Sequence, residues 1–490
     1  MTTTDTTDKT GGTPAPPTRT TAAPAGAAPP SRLWPVLLAS YIGQFLVVLD
    51  VSVVNVALPS MRDGLHLSGG ALQWVVNGYA LTFAGFLLLG GRLSDLFGHK
   101  RVYLAGLTLF AGASLAGGLA QSDAVLISAR AAQGIGAAFL APVTLSLLTR
   151  ALPEGAARTR AIAAWTAVGA AGGATGGLIG GVLTDLASWR WVLLINVPVG
   201  VAVGAVVLLW LRDTHRDADR PALDLPGAVL VTGGVGAVAY GITETESAGW
   251  SSGSALLPLL AGLAALAGFV AVEARTAQPL MPLRLFRIRA VAVGNVVTLV
   301  SMVGAFAMWY FLTLYMQTVL DYSAIRTGLA FLPHTAALVL ASQLAPRLTA
   351  RFGSRTMTVA GGLLTGGGFV WQSAVLDADG TFTSAILGPA LPMAAGIAIL
   401  MALLTDVSTS GVGEQDAGGV SGLVNTSRQI GAVLGLSILG TVAASAADHG
   451  TPEDGYARAF LAAGLITAAS MLLVPLLPRA RRATSGRAPA

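Results

Sequence analysis

The sequence predicts an all-α, polytopic membrane protein with fourteen transmembrane helices, arranged as two six-helix bundles with two inserted linker helices. Three observations support this prediction: the composition, the apolar segments of membrane-spanning length, and the distribution of basic residues. Of the 490 residues, 53% are hydrophobic and 11% are charged, and the mean hydropathy is +0.69. A soluble domain typically has about 25% charged residues, so we expect lipid to cover most of the surface that water would otherwise cover.

A transmembrane helix needs about 20 mostly apolar residues, and the chain contains fourteen such segments. They lie at 33–58, 71–90, 103–120, 124–149, 161–184, 191–211, 223–243, 255–273, 290–314, 325–346, 356–375, 383–405, 420–443 and 457–477. The first apolar run begins only at Leu33 and exceeds spanning length, so we interpret it as a retained helix and not as a cleavable signal. The connections are short, which leaves no room for a sizeable soluble domain.

Basic residues test this count independently, because cytoplasmic loops of membrane proteins are enriched in Lys and Arg. With the N-terminus in the cytoplasm, 23 of the 29 basic residues fall in cytoplasmic segments. The four in outer loops are Arg62, Arg190, Arg326 and Arg458, and the two inside predicted helices are Arg130 and Arg428. The acidic loop between helices 12 and 13 departs from the rule. The basic pI therefore indicates membrane topology, and we expect no nucleic-acid partner.

The chain also contains an internal repeat. Residues 91–101, GRLSDLFGHKR, resemble residues 346–356, PRLTARFGSRT, and both follow the second helix of a six-helix set. This equivalent placement favours duplication over chance similarity between short basic loops, and duplicated halves commonly enclose a site near the membrane midplane. The predicted organisation is a disordered Thr-, Ala- and Pro-rich tail at 1–31, a bundle at 32–211, a linker with helices 7 and 8 at 212–289, a second bundle at 290–478 and a basic tail at 479–490.

Asp50 and Arg130 are ionisable residues of opposite charge inside predicted helices, where charge is costly. Asp50 lies in helix 1, and an ionisable group at the centre of a span costs about 2.5–3.5 kcal/mol on insertion scales. Arg130 lies at a comparable depth in helix 4, so the two could pair if these helices are neighbours. Burial favours a protonated Asp50 whereas Arg130 favours an ionised one, which predicts a proton switch. A purely structural link between the helices is the alternative.

Five sequence motifs occur in a fixed order along the chain. They are LDVSVVNVALP (49–59), GGRLSDLFGHKR (90–101), ARAAQGIGAAF (129–139), WRWVLLINVPVG (189–200) and SGLVNTSRQIGAVLG (421–435). Together they resemble the fourteen-helix drug:proton antiporter family of the major facilitator superfamily, over nearly the whole chain after residue 32. The resemblance implies a multidrug or antibiotic resistance exporter of actinobacterial type, with Asp50 and Arg130 in proton coupling.

The motif after helix 2 is predicted to be a gating loop. Its residues are Gly91, Arg92, Asp95, Gly98, Lys100 and Arg101. In similar proteins such a loop latches the two bundles together in the outward-open state. A generic basic anchor for topology would explain the arginines but not Asp95 with Gly98, and the second copy of the repeat has Ala350 in place of Asp95.

Helix 5 contains glycines at four-residue spacing, which allows the backbones of neighbouring helices to approach closely. The motif residues are Gly172, Gly173, Gly176, Gly177, Gly180 and Gly181. The antiporter motif that they resemble contains a Gly-Pro pair, and its proline is absent here. Tight packing alone would also explain these glycines.

Five residues are candidates for substrate binding: Asn55, Gln133, Trp309, Tyr310 and Arg428. The two aromatic residues could line a drug pocket through cation–π contacts or could face lipid. Arg428 could bind a substrate or a carboxylate such as Asp406, or could extend towards the cytoplasmic face. His334 in helix 10 is either a protonation site or a packed polar contact.

No enzyme signature is present in the sequence. A GxxxxGK[ST] phosphate loop, metal-ligand spacing of His and carboxylates, and cysteine are all absent. We therefore expect no cofactor or metal, and a proton gradient as the energy source. The expected partners are an amphipathic small molecule, protons and lipid, for a monomer in the bacterial inner membrane with both termini cytoplasmic. Export of a native metabolite (a self-made antibiotic, an amino acid or a siderophore) or a receptor or sensor on the same scaffold are the alternatives.

Overall fold

The computed structural model describes residues 1–4, 33–211, 223–277, 279–410, 412–447 and 450–477. These residues contain fourteen long helices, numbered here in chain order. They are α1 (Leu33–Leu65), α2 (Gly69–Phe97), α3 (His99–Gly118), α4 (Asp123–Ala151), α5 (Ala156–Leu186), α6 (Trp191–Trp210), α7 (Leu225–Ala248), α8 (Gly253–Arg275), α9 (Arg289–Val319), α10 (Ala324–Phe352), α11 (Ser354–Val375), α12 (Phe382–Thr409), α13 (Glu414–Ala447) and α14 (Pro452–Leu476).

Twelve of these helices are long and apolar enough to cross a membrane. The other two, α3 and α11, have 20 and 22 residues and are also long enough, but their glycine, serine and threonine residues make them less apolar. The described residues thus agree with the predicted fourteen helices and form a multi-pass membrane protein, and no strand occurs among them. Apart from residues 1–4, the two predicted tails lie outside the described residues.

Three of the helices are interrupted within their length. The regular hydrogen bonding of α6 breaks at Ile195, that of α9 at Met302 and that of α10 at Phe331. The break in α10 precedes Pro333, at the start of its second segment, where a residue without an N–H group is tolerated. The ends also vary: α9 ends in a π-helical turn, α12 begins with one, and α14 ends in a 3-10 turn.

The ends of several helices differ from the sequence prediction, because a helix extends beyond the apolar segment that crosses the lipid. Helix α1 continues through Pro59 to Leu65, and α2 continues to Phe97. The predicted gating loop at 91–101 is therefore wrong as a loop. Its residues are helical except for Gly98, which has a φ of 89° and separates α2 from α3.

Helices α1–α6 form the N-terminal bundle and α9–α14 form the C-terminal bundle, and the two have the same internal packing. In the first, α4 packs against α2 and α3, and α1 packs against α5; in the second, α12 packs against α10 and α11, and α9 packs against α13. The two copies of the sequence repeat also match. Gly353 has a φ of 86°, close to that of Gly98.

The basic residue two positions after each of these glycines has an equivalent contact. The Lys100 ammonium donates to the Leu208 carbonyl oxygen at 2.9 Å, near the end of α6. The Arg355 guanidinium donates to the Pro475 carbonyl oxygen at 2.8 Å, near the end of α14. Since α6 and α14 are the sixth helices of their bundles, this shared contact supports duplication of a six-helix unit.

The two bundles meet along two seams, and the inserted pair α7–α8 covers one of them. Helix α2 packs against α13, and α5 packs against α10, while α7 contacts both α2 and α13 and α8 packs on α7. A hydrogen bond of 3.1 Å joins the Asn77 and Ser437 side chains across the α2–α13 seam. The inserted helices are therefore packed against the two bundles and are not a loose linker.

The predicted acidic loop before α13 has a basic partner. The Arg284 guanidinium donates two hydrogen bonds, of 2.8 and 2.7 Å, to the two carboxylate oxygens of Asp416. This contact lowers the pKa of the Asp416 carboxyl and raises that of the Arg284 guanidinium. Arg284 lies in the short 3-10 helix Leu283–Arg287 between α8 and α9, so the ion pair ties this connection to the start of α13.

Candidate functional site

The centre of the N-terminal bundle contains a buried ion pair. Asp50 lies midway along α1 and is fully buried, and Arg130 on α4 is 2% exposed. The Arg130 Nη1 atom lies 2.5 Å from Oδ2 of Asp50. A charge-assisted contact of this kind is stronger than a neutral hydrogen bond, and it brings together the two ionisable residues that the sequence singled out.

Two amides complete the coordination of the Asp50 carboxylate. Gln133 Nε2 donates to Oδ1 at 3.0 Å, and Asn196 Nδ2 donates to the same oxygen at 2.9 Å. Gln133 follows Arg130 by three residues, which places both side chains on one face of α4. Asn196 is the first residue after the break in α6. The carboxylate therefore accepts hydrogen bonds from three side chains on two helices.

Ser114 and Arg130 extend the network through further contacts. Ser114 Oγ on α3 accepts from Gln133 Nε2 at 2.6 Å and from Asn196 Nδ2 at 3.3 Å. Arg130 Nε donates to the Val75 carbonyl oxygen at 3.0 Å, and its guanidinium carbon lies 4.5 Å from the centre of the Tyr79 ring. Both of these contacts come from α2. The carboxylate on α1, its donors on α4 and α6, and the groups on α2 and α3 that contact those donors thus form one network of five helices.

The network has little space beside it for water. A cavity of about 10 Å³ adjoins it, lined by Asn55, Tyr79 and Arg130 together with Phe306 and Gln429 from the C-terminal bundle. A water molecule needs about 10–15 Å³ of such volume, so the cavity has room for one at most. Because its lining comes from both bundles, the cavity lies at their interface.

The sequence predicted the ion pair but not its full environment. Gln133, predicted as a substrate residue, donates a hydrogen bond to the Asp50 carboxylate in this structure. Asn55 lies on the cavity wall, where its Nδ2 donates to the Val51 carbonyl oxygen at 2.7 Å and its Oδ1 has no donor among the described residues. Ser114 and Asn196 were missed, although Asn196 lies in the recognised motif at 189–200.

The residues of the predicted gating segment contact three different elements, one of which is α6, through Lys100. Asp95 Oδ1 lies 3.2 Å from Arg150 Nη2 at the end of α4, and both side chains are more than half exposed. Arg92 donates to the Pro279 carbonyl oxygen in the connection between α8 and α9. Asp95 is therefore paired within its own bundle in this conformation, whereas Arg92 reaches the connection that follows the inserted pair.

The glycines of α5 lie against two neighbours. Added Cβ atoms at Gly176 and Gly180 would lie 2.5 Å from Ser52 Cβ and 2.8 Å from the Val53 carbonyl oxygen, both on α1. A Cβ at Gly181 would lie 2.5 Å from the Ala324 carbonyl oxygen on α10. Real Cβ atoms do not approach so closely. The remaining motif glycines follow the same division, with Gly172 and Gly173 facing α1 and Gly177 facing Gly328 on α10.

The end of the α5–α10 seam that we predict to face outwards is closed. The two carboxylate oxygens of Asp185 on α5 accept hydrogen bonds of 3.2 and 2.9 Å from the backbone N–H groups of Ala324 and Ile325. A carboxylate is favourable at these unpaired donors of a helix N-terminus. One bundle therefore caps a helix of the other at this end.

The remaining substrate candidates lie in the C-terminal bundle. Trp309 packs against Phe331, with ring centres 4.3 Å apart, and edge-on to His334 at 5.3 Å. Tyr310 is 3% exposed and lies in the core, so it does not face lipid. Arg428 donates to the Met401 carbonyl oxygen at 2.7 Å on α12.

Comparisons with known proteins agree with this architecture. The sequence profile of the Major Facilitator Superfamily matches residues 40–436. The chain is 44% identical to a cephamycin export protein of Amycolatopsis lactamdurans, covering 91% of this chain and 93% of that protein. It is 36% identical to a puromycin resistance protein of Streptomyces alboniger, covering 92% and 91%.

A solved structure shows the same fold. It is a bacterial homologue of the human lysosomal transporter Spinster in an inward-facing, unoccupied conformation, with a TM-score of 0.67 and 19% sequence identity. The alignment covers 92% of this chain and 98% of that one. At this identity the likeness concerns the fold alone.

Proposed function

Since this chain belongs to the major facilitator superfamily, we propose that it is a secondary active transporter that exports antibiotics or related drugs in exchange for protons. The names of two relatives support the substrate class, because one is a cephamycin export protein and the other a puromycin resistance protein. A native antibiotic is the second candidate substrate, and the relative named for cephamycin export favours it.

The observation that carries the proton-coupling proposal is the buried Asp50 carboxylate with its three side-chain donors. The Arg130 charge and two amides hold the ionised form while the bundle is closed. When the bundles separate and water reaches the small cavity beside Arg130, a proton binds Asp50 and neutralises it. Arg130 then loses its counter-charge, so its position changes and the conformation of the bundles changes with it.

This exchange has a sufficient source of energy. One elementary charge crossing a membrane potential of 100 mV releases about 2.3 kcal/mol, and a pH gradient adds to it. The predicted orientation makes the Asp185 end of the α5–α10 seam the outer end, and the described conformation has this end closed. In this orientation both termini lie in the cytoplasm. We expect the protein to work as a monomer without a cofactor, with the substrate, protons and lipid as its partners.

The proposal is tested with everted membrane vesicles that contain the protein. Respiration acidifies the vesicle interior and quenches a pH-sensitive dye, and candidate antibiotics are then added. We expect β-lactam and nucleoside antibiotics among the compounds that release protons and restore fluorescence. If no compound that the cells are shown to extrude restores it, proton exchange is the wrong mechanism.

A further inference from the structure

A second group of buried carboxyls lies away from the Asp50 network, at the predicted cytoplasmic end of the inserted pair. Asp224 precedes α7 and accepts a hydrogen bond of 2.9 Å from the Gly227 N–H, which caps that helix. Glu273 lies two residues before the end of α8 and accepts a hydrogen bond of 3.1 Å from the Met281 N–H. Each side chain is 3% exposed.

The two carboxyls lie opposite each other. Helices α7 and α8 pack antiparallel, with Gly241 against Leu259 and Gly268 against Leu230, and this register places Asp224 beside Glu273. One oxygen of each, Asp224 Oδ2 and Glu273 Oε1, is buried and has no donor among the described residues. Two buried carboxylates in contact repel strongly, so one of the pair retains a proton to which the other acts as acceptor. A single shared proton would satisfy both oxygens that now lack a donor.

We propose that Asp224 and Glu273 form a proton-binding carboxyl pair that links the inserted helices to the end of α2 in a pH-dependent way. The ligand is the proton itself. This site is separate from Asp50 and gives α7 and α8 a role beyond that of a covalent linker. The proposal holds whichever compound the protein exports.

The charged groups around the pair indicate how it would act. A cavity of about 710 Å³ lies beside Glu273 and is lined also by Arg92, Asp95 and Arg284. Asp95 is paired with Arg150, and Arg284 with Asp416. Arg92 lines the same cavity as Glu273 and donates to the Pro279 carbonyl oxygen, six residues after Glu273 in the chain.

The protonation of the pair therefore changes the attachment of α2. With one proton bound, the pair has a single negative charge that attracts Arg92. A second proton removes this charge, so Arg92 is held less firmly and the end of α2 is freer to move. Loss of both protons instead creates repulsion between Asp224 and Glu273, which separates the start of α7 from the end of α8.

Infrared spectroscopy of the purified full chain in lipid nanodiscs tests the shared proton without requiring transport. Protonated carboxyls absorb separately from carboxylates. We expect Glu273→Gln and Asp224→Asn each to remove one carboxyl's worth of this signal at neutral pH, and the double variant to remove no more than either. The control Glu154→Gln changes a carboxylate that is 93% exposed and should leave the signal unchanged. An unchanged signal in both single variants, or additive losses, overturns the shared proton.

The link to α2 is tested with a nitroxide label attached to the cysteine of an Ala277→Cys variant. Ala277 lines the cavity. The natural chain has no cysteine, so the label reports a single position. We expect its mobility to increase as the pH falls, and we expect Glu273→Gln to abolish this dependence, because Arg92 loses its titrating partner. The same pH dependence in both backgrounds, or none in either, overturns the coupling. If Glu273→Gln fails to fold, Asp224→Asn, which preserves the helix cap, should move the dependence to lower pH, because Glu273 then titrates without a neighbouring carboxyl. An unmoved dependence in that variant overturns the pair.

Discussion

A single carboxylate can lie inside the membrane here because the protein replaces its hydration shell. Asp50 accepts hydrogen bonds from Arg130, Gln133 and Asn196. The positive charge of Arg130 offsets the free-energy cost of burying the carboxylate charge. Breaking such a pair by removing one partner typically costs about 3–5 kcal/mol, because a buried charge is left alone. The same contacts make Asp50 sensitive to any movement that changes the distance to Arg130.

Asp50→Asn should abolish proton-coupled export while the protein still folds and inserts. An asparagine cannot bind or release a proton at working pH, although it can still bond to Gln133 and Asn196. We expect drug-evoked proton release in everted vesicles to fall to the level of vesicles without the protein. The control is Asp379→Asn, which changes an exposed loop carboxylate. Wild-type proton release from the Asp50 variant would remove this residue from the mechanism.

Arg130→Ala should impair transport more than Arg130→Lys, because lysine retains a counter-charge for Asp50. Lysine cannot reproduce the separate contacts of Nε to Val75 and of Nη1 to Asp50 and Gln133. We therefore expect residual activity in the Lys variant with a displaced pH midpoint, measured as transport rate against pH. Identical, wild-type profiles in both variants would contradict a coupling role.

Residues differ in how well the sequence reveals them. Asp50 and Arg130 stand out because a charge within an apolar segment is rare and costly. Ser114 and Asn196 do not, because neutral polar residues are common in membrane helices and their partners lie on other helices. Gln133 lies three residues after Arg130 and so on the same face of α4, a spacing that could have indicated its contact with Asp50.

At the scale of helices, glycines determine how closely α5 approaches its neighbours. A Cβ at Gly181 would collide with the backbone of α10, in the other bundle, whereas a Cβ at Gly173 would meet only Val48 Cγ1 at 3.6 Å. The contact at Gly181 crosses the seam between the bundles. We therefore expect a substitution of Gly181 to change the equilibrium between the conformations in which this seam is closed and open. The contact at Gly173 stays within one bundle.

Gly181→Ala should destabilise the conformation in which the predicted outer end is closed. Overpacking typically costs about 1–3 kcal/mol, and a tenfold change in an equilibrium corresponds to about 1.4 kcal/mol. We expect a cysteine at Ser60 to react at least several-fold faster with a membrane-impermeant reagent. Gly173→Ala is the matched control and should leave the rate unchanged. Equal rates in the two variants would show that this contact does not govern closure.

Asp95→Asn should change folding stability little, because an exposed ion pair contributes about 0.2–1 kcal/mol and Asp95 is paired with exposed Arg150. If Asp95 also latches the bundles in the other conformation, the variant should favour the described one. Reporter cysteines at Ser60 and Leu93 would then become less reactive and more reactive, respectively, and turnover would fall. Unchanged accessibility at both sites with unchanged transport would leave only the role of a topology anchor.

The helix boundaries were harder to predict than the helices themselves. Hydropathy marks the part of a helix within lipid, but α2 extends seven residues past its predicted end because Arg92 and Asp95 are compatible with helix outside the apolar layer. Gly98 alone interrupts the helical segment there, since its φ of 89° is one that favours glycine. The gating motif thus consists of the end of α2 and the start of α3, joined by Gly98.

For the whole molecule, the sequence predicted the architecture because lipid imposes strong rules. Apolar length predicted the fourteen helices that the structure contains, the segregation of basic residues agreed with that count, and the repeat at 91–101 and 346–356 indicated two related bundles. The position of α7 and α8 over the α2–α13 seam could not be predicted, because it depends on contacts between residues far apart in the chain, such as Thr441 Oγ1 with the Ile242 carbonyl oxygen at 3.1 Å.

The measurement that tests proton-driven export most directly uses the purified protein in liposomes that contain no nucleotide. A pH gradient is imposed, acidic inside, and the accumulation of a radiolabelled antibiotic identified in the vesicle screen is followed over time. We predict accumulation against a concentration gradient in vesicles of inside-out orientation, its collapse on addition of a protonophore, and its absence with Asp50→Asn. Accumulation that persists without the pH gradient and without a membrane potential, or that is unaffected by Asp50→Asn, would contradict the account.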